Sequence, residues 1–225
     1  LDEQGVIGFG ASFSNTGLLG IPLITITFGE AGTLPLFLLI AFHSLLMFPL
    51  VTAVVEAGRG RHEAAGRALP GIAWNILRGL AKNPIILGLL AGLVFNLLRL
   101  PIPQWLDTVV KTLSAAAAPC ALFAMGATLS HHRIAGNQAE ALTVVALKTL
   151  VHPLLVWVLA TQVFQVAPLW AAVAVLMAGL PTGTNAYLLA QRYSLCVRTV
   201  TTATLLSTGL SVLSLSALLF LLNVR

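Results

Sequence analysis

The 225 residues are 58% hydrophobic and 8% charged, with a mean hydropathy of +0.95, whereas an ordinary soluble domain carries roughly 25% charged residues. That composition excludes a water-soluble surface, and the lack of strict apolar/polar alternation excludes a transmembrane barrel. Apolar segments of about 20 residues, each able to cross roughly 30 Å of hydrocarbon, predict a helical bundle in lipid. The formal charge of +5 is scattered between apolar runs rather than gathered in one stripe, so a lipid bilayer is implied as partner and nucleic acid is not.

In chain order the apolar runs fall at 5–28, 33–56, 83–99, 104–129, 139–164, 168–190 and 198–222, which gives about seven spans. The stretch 69–80 predicts an amphipathic helix lying in the interface ahead of the third span. Eight of the 12 Lys and Arg residues fall in loops on one side: Arg59, Arg61, Arg67, Arg78, Lys82, Arg133, Arg192 and Arg198. Those loops are therefore expected in the cytoplasm, with the C-terminus outside. Cys120 and Cys196 lie in different apolar runs with no CxxC or Cys/His spacing. Neither a zinc site nor a disulfide framework follows, no cofactor is implied, and both are expected to be inert buried thiols.

Two spans are interrupted internally, at Asn15-Thr16-Gly17-Leu18-Leu19-Gly20-Ile21-Pro22 and at Ala178-Gly179-Leu180-Pro181-Thr182-Gly183-Thr184-Asn185. Pro22 and Pro181 each remove a donor and crowd the carbonyl four residues back, while Gly20 and Gly179 admit unusual backbone angles, so a break is expected at each. A break in lipid is tolerable where freed amides and carbonyls face protein or a wet cavity, which makes the pair a pointer to a binding site. Half-helix amino termini there would favour a carboxylate. Each broken span is followed by an unbroken one, about 160 residues apart and in opposite orientation, as in an inverted repeat.

Ionisable groups at membrane depth cost about 2.5–3.5 kcal/mol on insertion scales and so call for an explanation. Lys148 and His152 stand four apart on one helical face, as candidates for anion contact or ion coupling, and His43 is a further candidate near the middle of its span. Lys111 follows Asp107 by four residues near an interface, where an exposed ion pair suffices. His131-His132-Arg133 reads as a charged helix end rather than a metal site. No HExxH motif and no mid-span acidic pair is present, so the chain is not read as an intramembrane enzyme.

The segments Ser12-Phe13-Ser14-Asn15-Thr16-Gly17-Leu18-Leu19-Gly20-Ile21-Pro22-Leu23 and Leu180-Pro181-Thr182-Gly183 through Ala190-Gln191-Arg192-Tyr193 resemble the crossing helices of the auxin efflux carrier family. Asn83-Pro84 through Leu93, Ala118-Pro119 through Leu129 and Lys148 through Pro153 extend the likeness over nearly the whole chain. The resemblance implies an all-α, ten-helix carrier of two inverted five-helix repeats, crossing at the prolines of two broken helices. Residues 1–56 would then hold the last two helices of the first repeat, 57–82 a cytoplasmic loop and lead-in, and 83–225 the second repeat. Seven spans and a first residue other than Met imply a fragment or truncated product.

By the same resemblance Asn15, Thr16 and Gly17, with Pro181, Thr182, Gly183, Thr184 and Asn185, would line the substrate site, while Gly20, Pro22, Gly179 and Pro181 shape the crossing. Asn185 departs from the more apolar plant pattern. The short loop favours a prokaryotic-type permease of the inner membrane, whose relatives are associated with malonate, malate and similar carboxylates. The reading is a secondary transporter of a small organic anion with a coupling proton (or sodium), with a homodimer left open. A cation/proton antiporter and a non-transporting sensor of the same fold are the alternatives.

Overall fold

The computed structural model describes residues 1–58, 84–130 and 134–222, and among these every named element is helical. The exception to helical pairing is an isolated antiparallel bridge between Ser14 and Thr182. In chain order the α-helices are α1 (Asp2–Ser12), α2 (Ile21–Phe28), α3 (Thr33–Gly58), α4 (Pro84–Leu97), α5 (Gln104–Ser130), α6 (Gln138–Ala146), α7 (His152–Val158), α8 (Pro168–Gly179), α9 (Thr184–Tyr193) and α10 (Val197–Leu221). A π-helical turn, Thr16–Gly20, leads into α2; a second, Leu147–Val151, joins α6 to α7, and a third, Leu159–Val163, extends α7, so that one helix runs from 138 to 163.

Among the described residues three continuous helical stretches, 16–55, 138–163 and 197–221, are long and apolar enough to cross a membrane. The 16–55 stretch takes in parts of two of the seven expected spans, and the interrupted runs contribute shorter pieces such as α1, α8 and α9. The lead-in at 69–80, the loop from 59 to 82 and the His131-His132-Arg133 end lie outside the described residues.

Burial is arranged as lipid demands. Phe220, Phe123, Ile26 and Leu221 are among many large apolar side chains turned outward. Ser14, Asn15, Thr16, Lys148, Thr182, Thr202 and Ser207 are buried. Where the surroundings are hydrocarbon, apolar faces gain nothing by turning inward, and polar groups must find partners inside. Cys120 follows the same rule: it is exposed on α5, and Cys196 is half-buried, so the expectation of two buried thiols fails. Lys111 and Asp107 form the expected ion pair at 2.7 Å on the exposed face of α5.

Two apolar clusters define the crossing. In one, Val6 and Phe9 of α1 pack with Leu189 and Tyr193 of α9 and with Val51 and Val55 from the end of α3. In the other, Ile24 of α2 packs with Val173, Leu176 and Met177 of α8 and with Leu36 and Ile40 from the start of α3. The half before the first break thus partners the half after the second, and the reverse. Two broken helices related in that way form an X, braced by α3 along one side.

The first arm is interrupted earlier than Pro22 predicts. Regular α-helix ends at Ser12, Phe13 is extended (φ −81°, ψ 113°), and Pro22 sits inside the second half. The π-helical turn explains why. Ile21 N–H donates five residues back to the Thr16 carbonyl, so the wider turn absorbs the mismatch that a proline imposes on an α-helix. His152 N–H likewise reaches the Leu147 carbonyl immediately before Pro153.

Candidate functional site

At the centre of the X the two interrupted stretches pair like a short ribbon. Asn15 N–H donates to the Pro181 carbonyl and Gly183 N–H to the Phe13 carbonyl, each at 2.9 Å. The Thr182 hydroxyl closes on the Gly10 carbonyl at 2.9 Å, and the Thr182 amide donates to Ser207 Oγ of α10 at 3.1 Å. The first arm's remaining amide, Ser14 N–H, donates to Nε2 of His43 at 3.2 Å. Backbone atoms that lipid cannot satisfy are thus matched by the other broken helix and by neighbouring side chains.

Close approach requires the glycines. A Cβ on Gly183 would stand 2.8 Å from Phe13 Cδ1 and 2.9 Å from the Ser14 carbonyl oxygen, and one on Gly20 would meet Leu180 and Met177 at 2.9 Å. Gly179 abuts Leu218 of α10. Pro22 and Pro181 are both buried, and Pro181 contributes its carbonyl to the pairing.

A cavity of about 170 Å³ opens beside this ribbon. Its walls include Asn15, Thr16, Gly17, Gly183, Thr184 and Asn185, together with Phe13, Ser14 and Leu18. Six of the eight residues expected at the substrate site therefore converge there. Pro181 and Thr182 do not, because their polar groups are turned into the crossing itself. A space of ~150 Å³ is enough for a six-membered ring, so this one suits a solute of roughly seven heavy atoms.

Both half-helices that start at the cavity, the Thr16–Phe28 arm and α9, point their amino ends at it. The amides of a first helical turn lack intrahelical acceptors, and the helix dipole adds partial positive charge. No acidic residue lies in either first turn. Two such ends facing one small cavity concentrate partial positive charge there, beside the Asn15, Thr16, Thr184 and Asn185 that line it.

A second cavity of about 130 Å³ shares Ser14 and Thr16 with the first and is lined by His43, His152 and Ala178. Lys148 borders neither cavity. It is fully buried, donates to the Ala178 carbonyl at the end of α8, and stands 3.2 Å from His152 Nδ1. No ion pair among the described residues involves it. Its Nζ faces the carbonyl end of a half-helix, where the dipole is negative. His43 is stacked on Phe13 with ring centroids 4.5 Å apart. The partnership of Ser14 with His43, and of Thr182 with Ser207, has no trace in local sequence, since the partners lie 29 and 25 residues apart.

An X of broken helices holding an anion-sized cavity at its centre defines a membrane transport protein. Residues 1–219 match the family described as membrane transport protein, and the chain belongs to it; this is the auxin efflux carrier family. A protein of Rhizobium meliloti (strain 1021) named "Putative malonate transporter" is 33% identical over 221 residues, covering 98% of this chain and 68% of its own length. An "Uncharacterized transporter" of Methanothermobacter thermautotrophicus is 29% identical over 208 residues, covering 91% of this chain and 64% of its own length.

Proposed function

We propose that the chain carries a small organic anion, a carboxylate of the size of malonate or malate, across a bacterial inner membrane by alternating access coupled to protons. The observation that carries this reading is the meeting of two half-helix amino ends at one cavity of about 170 Å³. Carboxylates need concentrated donors, and a site built from backbone amides supplies them without a fixed full charge that would hold the anion too tightly to release. Asn15, Thr16, Thr184 and Asn185 orient the substrate, with Gly17 and Gly183 keeping the walls close to it. His43 and His152, which line the second cavity, and Lys148, which contacts His152, bear on charge and proton balance. The name of the Rhizobium relative supports a dicarboxylate as first choice.

The wider frame belongs to the same proposal. The ten-helix inverted repeat, with residues 1–56 closing the first repeat and 83–225 forming the second, would place the X at the pseudo-symmetry axis, with basic loops in the cytoplasm and the C-terminus outside.

Uptake of labelled malonate and malate into proteoliposomes, with and without an inward proton gradient, tests the reading. Accumulation should follow the gradient, and Asn15→Ala or Asn185→Ala should raise KM about tenfold, ~1.4 kcal/mol of lost contact. Transport unchanged in both variants would remove the cavity from the mechanism.

A further inference from the structure

The polar backbone of the crossing is held by a small set of side chains: Thr182 on the Gly10 carbonyl, Ser207 on the Thr182 amide and His43 on the Ser14 amide. Threonine and serine hydroxyls do not titrate. Histidine does, within the range of pH that a membrane separates. We propose that His43 is a proton-operated latch on the first break: its neutral ring holds the crossing by accepting the Ser14 N–H, and a proton on Nε2 releases it.

The chemistry follows from which atoms donate. A neutral imidazole has one acceptor nitrogen, and a protonated one has none. Nε2 receives an N–H in this structure, so protonation there would set donor against donor. Ser14 has no ready helical substitute, because the extended Phe13 (ψ 113°) carries the chain out of the helix and turns the Ser14 amide away from the Gly10 carbonyl. Nor can the ring swing freely, stacked as it is on Phe13 at an interplanar angle of 29°. A buried amide left without an acceptor is destabilised enough to shift a two-state crossing by roughly 5- to 150-fold. The cavity that His43 lines gives a proton room to reach it.

The ionisable groups facing His43 are His152, across the same cavity, and Lys148, which contacts His152 from behind. The walls from the X contribute Ser14, Thr16, Ala174, Met177 and Ala178. Among the described residues the titratable groups nearby are all bases, so an anion in the adjoining cavity, which shares Ser14 and Thr16, would be the natural counter-charge for a proton on His43. Proton and anion would then load together. That last consequence rests on the carrier reading, whereas the latch itself does not.

The test is thermal unfolding of the purified protein in detergent between about pH 8 and pH 5, followed by intrinsic fluorescence. The wild type should lose several degrees on acidification. His43→Gln, which keeps an acceptor near the Nε2 position that cannot titrate, should abolish at least half of that loss, while His152→Gln, whose ring does not hold the Ser14 amide, should remove a smaller share. His43→Phe, which preserves stacking and removes the acceptor, should unfold early at every pH. A loss undiminished in His43→Gln, or abolished by His152→Gln instead, overturns the proposal. Hydrogen–deuterium exchange of wild-type peptides spanning 13–16, corrected for intrinsic pH dependence, supplies an arm that needs no variant. Protection should fall at the lower pH, and constant protection is the contrary result. Neither measurement contains substrate, so a failed latch leaves the carrier reading standing, and absent uptake leaves the latch intact.

Discussion

Thr182 and Thr184 stand on either side of Gly183 and do different work. The Thr182 hydroxyl is fully buried and spent on the Gly10 carbonyl, whereas Thr184 borders the anion-sized cavity. Thr182→Val should therefore strand a buried carbonyl and lower stability by about 1–3 kcal/mol, with KM changed less than about twofold; Thr182→Ser should restore most of the loss. Unfolding in detergent beside uptake kinetics separates the two effects. Gly183→Ala should be worse tolerated, since its Cβ would press on the Ser14 carbonyl, a backbone atom that cannot step aside. Overpacking of that kind costs about 1–3 kcal/mol, while Gly8→Ala, with nothing near its Cβ, should be neutral or better. Sequence alone separated these residues poorly. It marked 181–185 as a unit because Pro, Gly, Thr and Asn all signal interrupted helix, and which hydroxyl faces a cavity and which faces a carbonyl depends on the other broken helix, some 170 residues away.

The helical segments themselves were legible, because 20-residue apolar runs and turn residues are local signals. The position of the first break was not. Proline predicts a lost donor, but a π-helical turn can absorb that loss, and Thr16–Gly20 does so ahead of Pro22 much as Leu147–Val151 does ahead of Pro153. The interruption at 13–15 is instead fixed by pairing with Pro181 and Gly183, a tertiary contact. Pro22→Ala offers a way to read the turn's purpose. An amide at position 22 would favour ordinary α-helical bonding to the Leu18 carbonyl, and losing one residue of the wide turn rotates Thr16 and Gly17 by about 100° relative to α2. Stability should hold or rise, while substrate affinity falls about tenfold. Unaltered affinity would mean that the turn is a proline accommodation with no part in aiming the cavity wall.

At the scale of the molecule the arrangement makes a claim about sidedness. The residues 134–137 dock on the start of α10, where Ala135 and Thr202 exchange hydrogen bonds of 2.9 and 2.6 Å, so this loop and the turn before α10 share a face. The turn at 165–167, between the 138–163 helix and α8, lies at the other end of that helix. A 26-residue helix spans about 39 Å, so the two loops belong on opposite sides of a bilayer whose apolar core is roughly 30 Å thick. On the proposed orientation, drawn from the Lys and Arg bias, the first face, with Arg198 beside it, would lie in the cytoplasm. In a background with Cys120 and Cys196 replaced by serine, Gln165→Cys should react with a membrane-impermeant maleimide in intact cells. Asn137→Cys should react only after permeabilisation. The reverse pattern would turn the molecule over, and with it the direction from which His43 and the anion cavity first meet their proton and substrate.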